Sequence, residues 1–257
     1  MVSRVSRSPE AEIDAANPWY VEDQFAVQLG SPGFRAVVER RWRVFTEALD
    51  EWVDSTGAPP ARLLDAGCGD GINLRYFWDL VRARKWSTRL VGVDYSFLRI
   101  GRARALGADL TRTSLTALGV RDSSFDVIVC NQVLEHVPDD RRAMGELRRV
   151  LRPGGLLIIG VPNEGSPLGL LRNHVLQRSI LRTTDHVNMY TRGLVNERLA
   201  GAGLQVIRVV PDGFLVPHTR LHGWLNHWTP VRRCLNAVTR VAPSCAAGLL
   251  VFAIRPR

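Results

Sequence analysis

Short apolar runs alternate with helical stretches over residues 62–160, and this alternation limits the folds open to the chain. Strands are predicted over residues 62–65, 90–94, 109–113, 125–130 and 155–160. Between them, one predicted helix starts near residue 72, a second ends near residue 106, and a third runs through residues 144–151. These strands are too apolar to face water on either side, which predicts a parallel sheet covered by helices on both faces. Parallel neighbours also require right-handed crossover connections.

The flanking regions extend the same pattern. A turn at residues 30–33 opens a predicted helix that runs to about residue 55, and its apolar residues recur at helical spacing. A helix over 191–202 and strands over 204–210 and 248–254 follow. We expect residues 1–20 to be a flexible lead and residues 21–257 to form one domain, because a chain of 257 residues can bury a sizeable core.

Two segments interrupt the alternation of strands and helices. Residues 163–189 and 212–245 each follow the carboxyl end of a predicted strand and are rich in Leu, Arg, His and Trp. Because ligands bind at the carboxyl ends of strands in doubly wound sheets, we expect these segments to cap a substrate site.

An apolar set from Leu168 to Leu181, flanked by arginines, predicts an amphipathic helix in the first cap segment. We expect this helix to pack over the site, and the alternative is peripheral contact with an anionic membrane. Trp224 and Trp228 of the second segment are interpreted as cap core, with substrate stacking as their alternative.

Composition narrows the class of protein without naming a function. The net charge of +9 is carried almost entirely by arginine, since Lys85 is the one lysine, and the arginines form no dense run. A solvated basic surface is therefore favoured over a nucleic-acid site. The four cysteines lack CxxC spacing, which indicates reduced thiols. The sequence shows no apolar run of membrane-spanning length and no secretory pattern, so we expect a cytoplasmic protein.

A glycine-rich turn, Asp65-Ala66-Gly67-Cys68-Gly69-Asp70-Gly71, lies between the first predicted strand and a helix. Its glycines allow positive φ and close approach of the backbone to a ligand. A purely structural turn and a dinucleotide site are both compatible with this motif. Asp65 favours a ligand with an ammonium group over a pyrophosphate, and Asp94 ends the next strand, where a carboxylate can accept hydrogen bonds from ribose hydroxyls.

Five segments, in this order and spacing, make the chain resemble the class I S-adenosylmethionine-dependent methyltransferase superfamily, particularly its ubiquinone/menaquinone-type and small-molecule branch. They are the glycine turn, residues 91–96, residues 123–128, residues 133–138 with Leu134-Glu135-His136, and residues 147–155 with Arg152-Pro153-Gly154-Gly155. The resemblance implies a Rossmann-like, doubly wound α/β fold with a seven-stranded, mostly parallel sheet, an antiparallel last strand and helical cap insertions. It also implies S-adenosyl-L-methionine as the cofactor.

The resemblance assigns cofactor contacts to named positions. The implied set comprises Asp65, Gly67 and Gly69 around the methionine part, with Cys68, Asp70 and Gly71 in the same turn, Asp94 on the ribose, Tyr95 beside the adenine, Ser114 and Leu115 near the adenine amino group, and Asn131 and Gln132 near the sulfonium. Ser114 stands where the family commonly has an acidic residue, so this contact departs from the pattern.

Methyl transfer is an in-line displacement in which alignment supplies much of the acceleration, and a general base is needed only when the acceptor holds its proton tightly. His136 and His186 are the candidate bases, and Tyr190 is a candidate to share the role of His186. For His136 the alternative, which we favour, is a helix-start residue bonded to backbone. No metal is expected, because Gln132 occupies the first position of the Glu-x-x-Glu-His cluster that some quinone-pathway relatives use.

The sequence thus favours methyl transfer to a small-molecule or lipid-like acceptor, at oxygen, with nitrogen and carbon left open. RNA methylation is an alternative suggested by the basic charge. Against it, strand four ends in Asn131-Gln132-Val133-Leu134 and not in the Asn/Asp-Pro-Pro-Tyr/Phe motif of exocyclic-amine methyltransferases. A noncatalytic cofactor-binding partner protein is the other alternative. The oligomeric state is left open.

Overall fold

The computed structural model describes residues 22–179, 184–218, 221, 224–225 and 228–257. The predicted flexible lead at residues 1–20 lies outside the described residues. Among the described residues, no helix is both long enough and apolar enough to cross a membrane.

The described residues form one seven-stranded sheet in the order β3-β2-β1-β4-β5-β7-β6. The strands are β1 (Arg62–Ala66), β2 (Arg89–Asp94), β3 (Asp109–Arg112), β4 (Phe125–Asn131), β5 (Leu151–Pro162), β6 (Gln205–Phe214) and β7 (Ala246–Ile254). Strands β1 to β5 pair in parallel, whereas β7 is antiparallel to both β5 and β6. The predicted α/β sheet with an antiparallel last strand is therefore confirmed.

Helices occupy the connections between these strands. They are α1 (Gln24–Gly30), α2 (Pro32–Thr56), α3 (Ile72–Ala83), α4 (Phe97–Ala103), α5 (Asp140–Val150), α6 (Pro167–Leu170), α7 (Arg192–Gly201) and α8 (Thr229–Val241), with a π-helical turn at Leu171–Leu176 and single 3₁₀ turns at Arg104–Leu106, Leu134–His136 and Pro243–Cys245. The predicted break at residues 30–33 is confirmed, because Ser31 separates α1 from α2 and Pro32 starts the second helix.

The two faces of the sheet are buried against different helices. On β4, Ile128 and Cys130 pack on the side of α5 and α7, while Val127 and Val129 pack on the side of α2 and α3. This alternation follows from the period of two in a strand. A strand buried on both faces cannot host the site within its length, so the polar residues collect at the carboxyl ends of the strands.

Candidate functional site

A cavity of about 1710 Å³ opens at the carboxyl ends of β2 and β4. Its walls come from α2, the glycine turn, the residues after β4, and α8. The predicted site residues that line it are Gly67, Cys68, Asp70, Asp94, Tyr95, Ser114, Leu115, Asn131, Gln132, His136 and His186. Helix α8, which belongs to the segment 212–245, lines one side of the cavity.

The glycine turn is fixed to the neighbouring strand by its own backbone. Gly67 and Cys68 donate N–H groups to the carbonyl oxygen of Val93 at 2.7 and 2.9 Å. Gly67 has φ +81°, and a Cβ there would lie 2.3 Å from the side chain of Val133. Glycine is therefore required at this position both for the backbone conformation and for close approach of the segment after β4.

Asp65 lies beneath the turn and not at its mouth. The side chain is fully buried and lies outside the described cavity lining. Neither carboxylate oxygen accepts a hydrogen bond of normal geometry from the described residues, although the Asn73 side chain and the Leu74 N–H are close enough to lower its pKa. Burial, reinforced by the negative charge of Asp94, raises the pKa of Asp65 to about 7. The carboxylate lacks a strong cationic partner.

Asp70 holds the turn to the surrounding helices. Its buried carboxylate accepts hydrogen bonds from the Gln24 N–H at 2.9 Å, from Nε of Arg99 at 3.0 Å and from Nη1 of Arg102 at 3.3 Å. Gly71 ends the turn with φ +90°, and a Cβ there would lie 2.4 Å from Leu106. These two residues therefore act on the packing of the turn against α1 and α4.

Asp94 and Tyr95 form the wall beside the turn. One Asp94 oxygen accepts the Gly69 N–H at 2.7 Å and the other accepts the Ser96 N–H at 2.9 Å. Each carboxylate oxygen has a second lone pair, so both can also accept a ligand hydroxyl. Tyr95 is 42 % exposed, and the guanidinium of Arg112 lies 5.8 Å from the centre of its ring.

Ser114 and Leu115 lie in a short turn across the cavity from Tyr95. The Ser114 hydroxyl is hydrogen bonded to the Thr116 hydroxyl at 2.8 Å and also accepts the Thr116 N–H. Leu115 is buried in the core on the α5 side of the sheet. This turn therefore offers the cavity a hydroxyl and an apolar surface, in place of the carboxylate that is common in the family.

Asn131 ends β4, and Gln132 follows it directly. Gln132 has φ +58°, a left-handed conformation uncommon outside glycine, and its N–H donates to the Gly160 carbonyl at 2.7 Å. A Cβ at Gly160 would lie 2.0 Å from Oδ1 of Asn131. Glycine on β5 therefore makes the room that the Asn131 side chain occupies at the cavity edge. The strained Gln132 backbone turns the chain back under the cavity.

A second polar group lies on the cap side of the cavity. Nδ1 of His186 lies 2.6 Å from Oε2 of Glu164, and Nη2 of Arg172 lies 2.7 Å from Oε1 of the same carboxylate. Burial lowers the pKa of His186, but the hydrogen bond to Glu164 and the charges of Glu164, Glu135 and Asp185 outweigh it and raise the pKa above its usual value. Burial likewise raises the pKa of Glu164, and its cationic partners outweigh that effect and lower it.

His136 lies beside this pair in the 3₁₀ turn after β4. Its ring meets that of His186 edge-on at 4.8 Å between centroids, and its Nδ1 lies 3.0 Å from Oδ1 of Asp185. His136 is the last residue of this 3₁₀ turn, and its backbone N–H donates to the Val133 carbonyl. The two candidate bases, 50 residues apart in the chain, therefore lie side by side in one cavity.

Glu135 lies beside His136 and His186 and forms a cluster with them. It is 1 % exposed, and burial raises its pKa. Glu135, His136 and His186 each offer a donor atom within 4.8 Å of the others, which is a spacing that a divalent metal accepts. The prediction of no metal rests on Gln132 alone, whereas the fold brings His186, which is remote in sequence, beside Glu135 and His136.

Three expectations about the cap segments are wrong. Tyr190 is fully buried and its hydroxyl donates to Asp140 at 2.8 Å, so it faces the core and not a substrate. Trp224 and Trp228 are 61 % and 56 % exposed and do not form a cap core. The apolar residues of segment 167–176 do not cover the site either: Leu170, Leu171, Val175 and Leu176 are exposed. The π-helical turn changes the helical phase and directs Asn173 inward in their place.

Glu164, Arg172 and Asp185 are site residues that no motif indicated, whereas Glu135 belongs to the Leu134-Glu135-His136 motif. Glu164 follows the end of β5 by two residues, a position that the rule for strand carboxyl ends would have indicated. Asp212, on β6, binds Arg40 and Arg41 of α2, with 2.6 Å between Arg41 Nε and Oδ2, and so fixes α2 as a wall of the cavity. Contacts between segments so far apart leave no local signal in the sequence.

Comparison with known proteins places this geometry in a family. A family model described as a methyltransferase domain matches residues 36–209. The malonyl-[acyl-carrier protein] O-methyltransferase of Methylococcus capsulatus is 32 % identical over 169 residues, covering 63 % of this chain and 58 % of that enzyme. The 2-methyl-6-phytyl-1,4-hydroquinone methyltransferase of Synechocystis is 28 % identical over 192 residues, covering 71 % and 58 %. The chain thus spans less than two thirds of the length of these curated relatives.

A solved structure shares the fold. The S-adenosylmethionine-dependent methyltransferase from Mesorhizobium loti aligns with a TM-score of 0.54 and 20 % identity, covering 76 % of this chain and 90 % of that one. The strand order, the glycine turn between β1 and α3, and the family match over residues 36–209 agree with one another. The chain belongs to the class I S-adenosylmethionine-dependent methyltransferase superfamily.

Proposed function

We propose that this chain binds S-adenosyl-L-methionine and transfers its methyl group to an oxygen atom of a small-molecule or lipid-like acceptor. The observation that carries the proposal is the meeting of two sets of residues in one cavity. The glycine turn with Asp94 and Tyr95 lies on one side, and His136, His186 and Glu164 lie by the cap. A displacement reaction needs such a cavity, because donor and acceptor must be held in line.

The residues beside the turn fit the parts of this cofactor. Asp94 keeps lone pairs for two ribose hydroxyls, and the exposed ring of Tyr95 offers a flat face to an adenine. Asp65, buried beneath the turn without a strong cationic partner, favours a ligand that carries positive charge above it. The cofactor would supply an electrophilic methyl group on a sulfonium, and the glycine turn, Asp94 and Tyr95 would hold it.

On the acceptor side, His186 is proposed as the base. With its Nδ1–H donated to Glu164, the neutral imidazole presents a lone pair at Nε2, which can take the proton of an acceptor hydroxyl as the oxygen is methylated. Glu164, itself held by Arg172, fixes the tautomer and stabilises the imidazolium that forms. His136 is proposed to contact the acceptor beside His186. An acceptor that loses a proton on methylation, such as a hydroxyl, suits this arrangement.

The decisive experiment identifies the acceptor. The full chain is incubated with S-adenosylmethionine labelled in its methyl group and a cell extract, and the labelled product is isolated and characterised. A labelled small molecule or lipid carrying a new methoxy group supports the proposal. Labelled RNA would replace it with RNA methylation, and an absence of any label transfer despite cofactor binding would leave a noncatalytic cofactor-binding protein.

Cofactor binding has its own test by calorimetry. We expect the chain to bind S-adenosylmethionine and S-adenosylhomocysteine, and Asp94→Ala to bind both on the order of a hundredfold more weakly, because two hydrogen bonds to a charged acceptor are lost. Asp109→Ala is the matched control, since Asp109 is an exposed carboxylate that pairs with Arg89 away from the cavity. Binding of NAD in place of both ligands would overturn the proposal.

A further inference from the structure

The two cap segments carry an exposed apolar surface that the proposed activity does not use. We call this set of residues the cap surface: Leu170, Leu171, Val175 and Leu176 of the first segment, and Leu221, Trp224, Trp228, Val238 and Val241 of the second. Isolated exposed apolar residues are normal in proteins, but a group this size in two adjoining segments marks an interaction site.

The orientation of α8 shows that this exposure is systematic. Of the helix residues, Thr239 is buried, whereas Val238 and Val241 are 41 % and 85 % exposed. The polar side of the helix, with Arg232 and Asn236, lines the cavity. A helix that served only to cover the site would bury its apolar face and expose its polar one. Helix α8 instead leaves Val238 and Val241 exposed together with Arg233 and Arg240, while Val231 and Leu235 are half-buried.

The two segments meet and so form one region of the molecule. Helix α6 contacts the 3₁₀ turn Pro243–Cys245 that follows α8, and Pro167 and Pro243 line the same cleft. Before α8, the rings of Trp224 and Trp228 contact each other edge-on, with 6.4 Å between centroids. The apolar residues therefore follow a path from the tryptophans along α8 and on to α6 and the π-helical turn.

The charge of the same segments identifies what the surface faces. The two cap segments, residues 163–189 and 212–245, contain seven arginines and three carboxylates. Of these carboxylates, Glu164 and Asp212 are buried in ion pairs with arginines. Exposed aliphatic and tryptophan side chains flanked by an excess of arginines are the composition of a segment that lies in the interface of an anionic bilayer. We propose that the cap surface docks on an anionic lipid membrane.

Other occupants fit the surface less well. A second copy of the chain would bring another surface with an excess of arginines against the first, and like charges oppose such an association. RNA would pair with the arginines, but exposed leucines and valines neither stack on bases nor hydrogen bond to them. Acyl chains and anionic headgroups match both components of the surface.

Docking in this orientation would bring the cavity toward the lipid. Arg172 of the first segment and Arg232 of the second both line the cavity as well as lying beside the cap surface. A lipid-like molecule could then pass from the bilayer to the cavity without crossing bulk water. The membrane proposal itself does not depend on methyl transfer, because docking needs neither cofactor nor acceptor.

The test is sedimentation of the full chain with vesicles. We expect strong binding to vesicles of equal parts phosphatidylcholine and phosphatidylglycerol, and little binding to phosphatidylcholine alone. The double variant Leu176→Asn/Val241→Asn should partition about tenfold or more weakly, since two apolar side chains lose their burial in lipid. Ile207→Asn is the matched control: Ile207 is 53 % exposed near the start of β6, at the opposite end of the strand from the cap.

Charge is tested separately from apolar contact. Arg178→Glu should weaken binding to the anionic vesicles by about tenfold or more, at roughly fivefold per charge changed. Arg104→Glu makes the same change of charge next to β3, away from the cap, and should bind as the wild type does. Thermal unfolding of each variant checks that the fold is intact. The proposal would be overturned by equal binding to both kinds of vesicle, by an equal loss of binding in the control variants, or by a wild type that sediments with neither kind of vesicle. It would also be overturned if RNA displaced the chain from the vesicles while the apolar substitutions left vesicle binding unchanged.

Discussion

Glu164 and His186 lie 22 residues apart in the chain, and their side chains meet at 2.6 Å between Oε2 and Nδ1. Glu164 is 5 % exposed and is held on its other oxygen by Arg172. The pair therefore has a fixed geometry, with the second nitrogen of the imidazole left for other partners. The charged groups that face His186 are Glu164, Glu135 and Asp185, which together raise its pKa against the effect of burial.

Replacing Glu164 by Gln tests whether this pair sets the protonation of the proposed base. In Glu164→Gln the pKa of His186 should fall, because burial remains while the main opposing charge is lost. The rate of methyl transfer in the wild type should rise with pH through a pKa above the usual value for histidine, and in the variant this limb should move to lower pH, with kcat on the order of tenfold to a hundredfold smaller.

Imidazole NMR signals across a pH titration measure the His186 pKa directly, with His186→Asn identifying the resonance. Glu197→Gln is the control, since Glu197 is an exposed carboxylate on α7 that pairs with Arg141. An unchanged pH profile in Glu164→Gln, together with an unchanged pKa, would show that the contact has no part in setting the base.

Metal removal tests the charge balance of the same cluster. Arg172 offsets the charge of Glu164, and burial favours the neutral form of Glu135, so the cluster does not require a metal cation. We expect dialysis against EDTA to leave the rate of methyl transfer unchanged. A loss of activity that Mg²⁺ or Mn²⁺ restores, and that Glu135→Gln abolishes, would assign Glu135, His136 and His186 to a metal site instead.

The sequence predicted the parts of this site that depend on strand ends, and not those that depend on the packing of loops. Asp94 and Asn131 were placed correctly because they end buried strands whose apolar pattern is plain. The contact between Glu164 and His186 joins two loop residues, and no periodicity specifies it. The exposure of Leu170 and Val175 was not predicted because an amphipathic pattern gives the period of a helix but not which of its faces meets the protein.

The close approach at Gly67 predicts a difference between two glycines of similar backbone conformation. Gly57 has φ +74° with nothing within 4 Å of an added Cβ, whereas at Gly67, with φ +81°, the added atom would overlap Val133. Gly57→Ala should cost about 1 kcal/mol of unfolding free energy from backbone strain alone. Gly67→Ala should lower the free energy of unfolding by about 2 kcal/mol more than Gly57→Ala does. It should also weaken S-adenosylhomocysteine binding at least about tenfold. Urea unfolding and calorimetry give the two values, and equal losses at both sites would contradict the packing argument.

The buried position of Asp70 predicts that it stabilises the turn far more than a surface ion pair would. Asp70→Ala should lower the free energy of unfolding by about 3 kcal/mol, because Arg99, Arg102 and the Gln24 N–H lose a shared buried partner. In the control variant Asp79→Ala, both side chains of the lost ion pair with Arg75 are exposed, so the free energy of unfolding should fall by less than about 1 kcal/mol. Urea unfolding measures both. Similar losses in the two variants would mean that Asp70 is not the link between the turn and α1.

The raised pKa of Asp65 predicts how stability depends on pH. Its pKa in the folded chain is about 7 against 3.8 for the ordinary carboxyl, so between these values the folded state holds a proton that the unfolded state has lost. Stability contributed by this group is therefore full below about pH 4 and declines as pH rises toward about 7, by a total on the order of 4 kcal/mol. Asp65→Asn should remove this decline, while Asp79→Asn, at an exposed position, should keep it.

The same proton links Asp65 to the ligand: a cationic cofactor favours the carboxylate, so binding near pH 7 should release a proton in the wild type and not in Asp65→Asn. Calorimetry in buffers of different ionisation enthalpy counts that proton, and equal release by both proteins would place its source elsewhere.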